Sequence, residues 1–292
     1  AGSEILTSGN IVRGAINVDA NNIVEYRYLN LQTSNGSFAA DQLNVNADEY
    51  RSRVVSQIKA MRAGPAVKIT GNVNITSSAF EGSSEVKIES SGDISVGGTI
   101  KTSTTGFASN SKLSIYAGSN LSIDGGLSSE SKAEYSRVDI LLDRTASSLT
   151  EAVGTKLKEL NLISSGFRST TNLVINSTKK GDFVVGDDIL LDASGDEATA
   201  SIESMILLGS LEVNGSVRVS ATGAGASANL FAADVSSSGP ISLAQVKSIR
   251  GSLSVEASGV YSSSVATMSF LRSGSLTVDG EIAAIASGDN SS

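Results

Sequence analysis

A short unit recurs along this chain: glycine, any residue, an aliphatic, a polar residue, an aliphatic, then a small turn and a further alternating stretch. The clearest copies are Gly209-Ser210-Leu211-Glu212-Val213-Asn214-Gly215-Ser216-Val217-Arg218-Val219-Ser220, the stretch from Gly274 to Ile282, and the stretch from Gly92 to Ile100. Weaker copies begin at Gly71, Gly118, Gly181 and Gly251. Successive copies start 21, 26, 63, 28, 42 and 23 residues apart; with 63 and 42 read as two turns each, the period is 21 to 32 residues. Repetition at such a period marks a stacked architecture before any single element is assigned.

Each copy alternates apolar and polar residues, the signature of a strand with one buried face. One such strand cannot cover its own apolar face, but stacking successive coils sets Leu211, Val213, Val217 and Val219 above their counterparts and builds a continuous core. Glycine at the strand boundary suits a sharp corner, where positive φ is often needed. A sandwich or antiparallel barrel would place Asn-Gly and Asp-Gly at scattered hairpins. Here Asp124-Gly125, Asn214-Gly215 and Asp279-Gly280 hold the same place in the repeat, which favours a repeated corner; Asn35-Gly36 stands apart. The expected fold is therefore all-β, a right-handed parallel β-solenoid (β-helix) with one or two short helical excursions. The handedness follows the general rule for parallel crossovers.

Composition agrees. Apolar residues make up 40% of the chain and aromatics 4%, with no Trp, so the core is built from Val, Ile, Leu and Ala. There are only 2 prolines to interrupt hydrogen-bonded ladders. Ser and Thr supply about a quarter of the residues, well above ordinary usage. Ser-rich stretches such as 127–131 and 235–239 read as loops between coils.

Two segments read as helix. Asn46 followed by Glu49 has capping spacing, with Tyr50, Val54, Ile58 and Met61 behind it and Gly64-Pro65 as a stop. Ser148 and Glu151 repeat the spacing ahead of Val153, Leu157 and Leu160. The expected division is residues 1–66 as N-terminal strands with a capping helix over 47–63, residues 67–288 as the solenoid, and 289–292 as a polar tail.

The formal charge of −8 and scattered basic residues argue against nucleic acid as a partner. The chain has neither Cys nor His, which removes thiolate chemistry, the usual imidazole ligand and the usual base for activating a serine. No apolar run reaches the roughly 20 residues of a membrane-spanning helix. Polysaccharide-cleaving enzymes use paired carboxylates. The best acidic cluster is Asp182, Asp187, Asp188, Asp192, Asp196 and Glu197. A weak Ca²⁺ site near Asp187, Asp188 and Asp192 is the metal chemistry this spacing raises, although it matches no standard calcium loop. Tyr26, Tyr28 and Tyr50 read as packing residues. No catalytic, cofactor-binding or metal-ligating residue is assigned, and no cofactor is expected.

The units at Gly209–Ser220 and Gly274–Ile282 resemble the repeats of filamentous-haemagglutinin-type exoproteins, across roughly residues 67–288. That family's secretion domain carries Asn-Pro motifs, and Asn-Pro occurs nowhere in this chain. The resemblance implies a secreted bacterial β-helix used in adhesion and biofilm. The expected role is an extracellular or cell-surface structural protein rather than an enzyme: a filament, matrix or adhesin subunit joined head-to-tail through solenoid ends, with cell-surface glycans as a further partner class. A carbohydrate-active β-helix enzyme, or a glycan- or host-binding spike of a phage or surface appendage, are the alternatives.

Overall fold

The computed structural model describes residues 2–61, 65–144, 154–177, 181–207, 209–234, 245–268 and 274–292. They form a parallel β-solenoid of three ten-stranded sheets. Every coil contributes one strand to each sheet in a fixed order, so the chain winds as a triangular spiral and each strand pairs in parallel with the strand one coil later. In the third and fourth coils, sheet A receives Arg53–Ala60 and then Ser83–Ser90. Sheet B receives Pro65–Ile69 and Asp93–Val96, and sheet C receives Val73–Ser77 and Ile100–Thr104. Ten rungs at the strand spacing make a rod roughly 45 Å long.

Period-two alternation explains the interior. In register lie Ile58, Ile88 and Ile115 in sheet A, Val67, Ile94 and Leu121 in sheet B, and Val73, Ile100 and Leu127 in sheet C. All nine are at most 2% exposed. Each such side chain contributes about 1.5–3 kcal/mol on burial. A coil's aliphatics rest on like aliphatics above and below, so branched residues fill most of the core, and Phe38 and Phe183 are the large aromatics buried among the described residues.

The coil length differs from the spacing of the glycine-led copies. It runs from 27 residues (Val24 to Arg51) to 36 (Gly225 to Tyr261), measured between equivalent corner residues. The copies at Gly92, Gly118, Gly181, Gly209 and Gly274 precede strands of sheet B, whereas those at Gly71 and Gly251 precede strands of sheet C. The shortest spacings, 21 and 23, thus join two different sides of the triangle. The long strands of sheet A carry little of the motif and make up the difference.

The first expected helix is corrected, and the second is corrected where its residues are described. Residues 47–60 hold the end of one sheet C strand, a corner, and the sheet A strand Arg53–Ala60. The four-residue step from Val54 to Ile58 fits a helix but is also two periods of a strand, and Ser56 and Ala60 are buried beside them. In the second segment, residues 145–153 lie outside the described residues, while Thr155–Leu157 and Leu160–Ser164 are strands of sheets B and C. No helix occurs among the described residues. Leu127–Ser131, expected as a loop, is a sheet C strand whose Ser129 and Ser131 point inward. The other Ser-rich stretch, 235–239, lies outside the described residues. Strands between residues 2 and 47 pair in the same three ladders as the rest.

Candidate functional site

The three corners are built differently. Where sheet B passes to sheet C, glycines stack on one another: the amides of Gly98, Gly125, Gly251 and Gly280 donate to the carbonyls of Gly71, Gly98, Gly215 and Gly251 at 2.8–3.1 Å. A Cβ on Gly125 would stand 2.6 Å from the Gly98 carbonyl carbon and the Thr99 nitrogen. These glycines are selected by close approach of backbones, not by positive φ, which corrects the expectation for this corner.

Gly126, with φ of 90°, has positive φ at this corner between sheets B and C, but among the described non-glycine residues positive φ belongs to the corner between sheets C and A. There one residue per coil is left-handed: Val24, Arg51, Glu81, Ala108, Tyr135, Arg168, Glu197, Gly225, Tyr261 and Asn290, with φ of 51–66°. Only one of the ten is glycine. The turn is closed by a bond from the following amide back three residues, as from Ser109 to Gly106 at 3.2 Å. The Ser109, Ser136, Ser169 and Ser262 hydroxyls reinforce it by donating to the same carbonyls at 2.6–2.8 Å. The left-handed amides from Val24 to Tyr261 each donate to the next coil, as from Ala108 to the Glu134 carbonyl at 2.9 Å, so the ladder runs unbroken around the corner. A left-handed non-glycine residue costs about 1–2 kcal/mol. Strain kept at nine corners directs side chains outward along one edge of the rod.

That edge carries an aromatic file. Tyr50, Phe80 and Phe107 each precede a left-handed residue and stack face to face, with centroids 5.5 and 5.1 Å apart and planes 18° and 12° from parallel. In the next coil Glu134 takes that position and Tyr135 the left-handed one. The ring therefore steps sideways and meets Phe107 and Phe167 edge-on at 5.5 and 5.7 Å. Tyr50, Phe80, Phe107 and Tyr135 are 40–45% exposed. Ion pairs flank the rings: Arg51 to Glu81 and Arg168 to Glu197, each at 2.5 Å. The Arg51 and Arg168 guanidiniums also lie 5.0 Å from the Tyr50 and Phe167 ring centroids. Tyr50 thus belongs with Phe80 and Phe107, while Tyr26 and Tyr28 sit on the sheet A strand Tyr26–Thr33. Sequence reading missed this file because few aromatics were expected to act together. The signal was present, since residues 50, 80, 107, 135 and 167 recur at the coil period.

The acidic cluster does not converge. Asp182, Asp188 and Asp196 each accept a backbone N–H from the following coil, those of Ser210, Ser216 and Ala224, at 3.1, 2.7 and 2.9 Å. Asp93 does the same for Asn120, and Asn72 for Thr99. These side chains bind corners to corners. Asp187 and Asp188 lie in a turn between strands. Asp192 is on the outer side of sheet C, and Glu197 pairs with Arg168. Among the described residues no three His, Cys, Asp or Glu groups are placed to hold a metal ion.

Two cations are buried among the described residues, Arg144 and Lys247, and Lys247 stands between Leu211 and Leu276 in the sheet B ladder. Arg144, 2% exposed, donates from Nη2 to the Ser177 hydroxyl at 2.7 Å, while its Nε and Nη1 have no partner among the described residues. Burial pushes this guanidinium down to about 10, opposed by the charge of Asp182.

No helix of the described residues is long and apolar enough to cross a membrane. Comparison of the chain with protein-family models, with curated proteins and with solved structures gave no match.

Proposed function

We propose that this β-solenoid is a structural element of an extracellular filament, surface matrix or adhesin, extended by adding rungs, and that it is not an enzyme. The observation that carries this reading is that every rung is a template for the next. The rung containing Gly274–Val278 and Ile282–Ala286 presents Leu276 and Ile282 at inward core positions, 41% and 66% exposed. Their counterparts two rungs back, Leu211 and Val217, are 2% and 1% exposed. An open parallel edge with exposed aliphatics takes a further strand readily, from a continuation of the same chain or from a second molecule.

Head-to-tail addition between molecules is a heterologous contact that does not close, and so gives open filaments. The alternating, hydrogen-bonded outer faces and acids committed to corners support a scaffold over a carbohydrate-cleaving site. Tyr50, Phe80 and Phe107 cover one another's faces and leave mainly ring edges outward, so this file is poorly arranged for stacking on sugars.

Electron microscopy of the purified protein tests the proposal. Filaments showing an axial repeat near 4.8 Å are expected, and their loss in an Ile282→Lys, Leu276→Lys variant would tie them to the open edge. Single particles at every concentration would overturn the reading. Surface labelling of intact producing cells tests the location, and a chain protected until lysis would remove the extracellular part of it.

A further inference from the structure

Over the first eight of its ten coils the order of side chains along the left-handed corner reads the same in both directions once charge sign and size are exchanged; Tyr261 and Asn290 extend beyond that stretch. Down eight successive coils the left-handed file is Val24, Arg51, Glu81, Ala108, Tyr135, Arg168, Glu197 and Gly225. Turned end for end about its midpoint, between Ala108 and Tyr135, the file sets Arg51 against Glu197, Glu81 against Arg168, and Ala108 against Tyr135. Every ionic position meets its opposite charge, and the largest side chain at the centre meets a small one. The neighbouring file of preceding residues follows: Phe80 meets Phe167, the Tyr50 hydroxyl faces the Asp196 carboxylate, and Ile23 falls against Ala224. Glu134 opposite Phe107 is the pairing that adds no attraction.

We propose that this edge is a self-association surface, on which a second copy of the same chain docks antiparallel about a two-fold axis perpendicular to the rod. An isologous contact requires a self-complementary surface, and this file meets that condition in charge and in volume. The two ion pairs already present within each chain, Arg51 with Glu81 and Arg168 with Glu197, become the halves of two four-charge clusters of alternating sign. The parallel arrangement is selected against, because it sets Arg51 on Arg51, Glu81 on Glu81 and Arg168 on Arg168. The exposed rings of Phe80, Phe107 and Tyr135 supply the apolar centre that such a contact covers. The left-handed corner explains why those side chains stand there: nine non-glycine residues occupy a conformation that glycine adopts with less strain.

Charge swaps that leave the internal ion pairs intact test this without disturbing the fold. In the Leu276→Lys, Ile282→Lys background, which blocks rung addition, the chain with its wild-type corner is expected by sedimentation at micromolar concentration at twice the chain mass, with dissociation promoted by salt. In the same background the Arg51→Glu, Glu81→Arg variant keeps its internal pair but brings a negative charge at position 51 against Glu197 and a positive charge at position 81 against Arg168. It should sediment at the chain mass, with its dissociation constant raised at least tenfold. The Arg168→Glu, Glu197→Arg variant should do the same. Mixing the two variants restores every cross-pair, as does combining all four substitutions in one chain, and both are expected to return the doubled mass. A chain with its wild-type corner that stays single, a dimer that survives either swap, or swapped chains that fail to pair on mixing would each overturn the proposal. The swaps lie away from the open strand edge, so filament growth by rung addition is read separately in chains that keep Leu276 and Ile282.

Discussion

The rings of Phe80 and Phe107 lie one coil apart, 5.1 Å between centroids and 12° from parallel, on a corner where both are two-fifths exposed. A pair in that geometry is worth about 0.5–1.5 kcal/mol beyond its buried area. A double-mutant cycle over Phe80→Ala and Phe107→Ala in urea unfolding is expected to return a coupling within that range. Zero coupling would mean the stacked rings contribute only surface, leaving docking as their sole purpose.

The backbone beneath those rings gives a second expectation. Ala108 is left-handed at φ 52°, and its side chain enters no ion pair. Replacing it with glycine relieves the steric cost of that conformation and adds freedom to the unfolded chain, two effects of opposite sign. The first is the larger for an alanine held at positive φ, so Ala108→Gly should stabilise by about 0.5–1 kcal/mol. Gly125→Ala, at the other corner, should do the reverse and cost several times more, because its Cβ would meet backbone rather than solvent. Similar effects of the two changes in thermal unfolding would contradict the distinction between the corners.

The architecture was legible in the sequence because the alternation at Leu211, Val213, Val217 and Val219 has only one economical way to be buried, and the repeat says how often. The length of the coil was not, because one glycine-led motif serves two sides of the triangle, at Gly71 and at Gly92 alike. The apparent helix at Tyr50, Val54 and Ile58 failed for a related reason: a step of four residues belongs to both periodicities, and the capping pair Asn46 and Glu49 is also what a polar corner looks like. Glu49 caps no helix there; its amide meets the Ser52 hydroxyl at 3.2 Å. The aromatic edge stayed hidden because its members are about 30 positions apart and change file at Tyr135, so only the coil register brings them together. The acids were misleading in the opposite way. They are close in sequence, yet neighbouring corners claim them one at a time.

Glu89, on the outer side of sheet A, predicts how stability responds to acid. Burial raises its pKa, but Lys59 at 2.9 Å and Lys87 at 3.1 Å outweigh that and hold the carboxyl below its ordinary value. A carboxylate depressed in the folded state adds stability that is full above its unfolded pKa, near 4.5, and is lost as pH falls through the folded value. Wild type should therefore exceed Glu89→Gln in urea stability at pH 7, by no more than about 1 kcal/mol for so accessible a pair, and the gap should narrow as pH falls below 4.5 and close once the folded carboxyl is protonated. A gap that persisted or widened in acid would assign the effect to packing rather than charge.

Inside the rod, two threonines two residues apart give the sharpest contrast. Both Thr102 and Thr104 are fully buried in the sheet C strand Ile100–Thr104. Thr104 has its hydroxyl 3.0 Å from that of Ser131, which continues to Ser136 at 2.7 Å. The Thr102 hydroxyl, stacked between Ile75 and Ser129, has no partner among the described residues. A buried hydroxyl without a partner costs about 1–3 kcal/mol, whereas breaking a satisfied network leaves another group stranded. Thr102→Val, which keeps the shape, should accordingly stabilise the protein by about 1 kcal/mol, and Thr104→Val should destabilise it by a similar amount. If both variants lost stability, the Thr102 hydroxyl would have a partner in solution, and a water molecule inside the solenoid would be that partner.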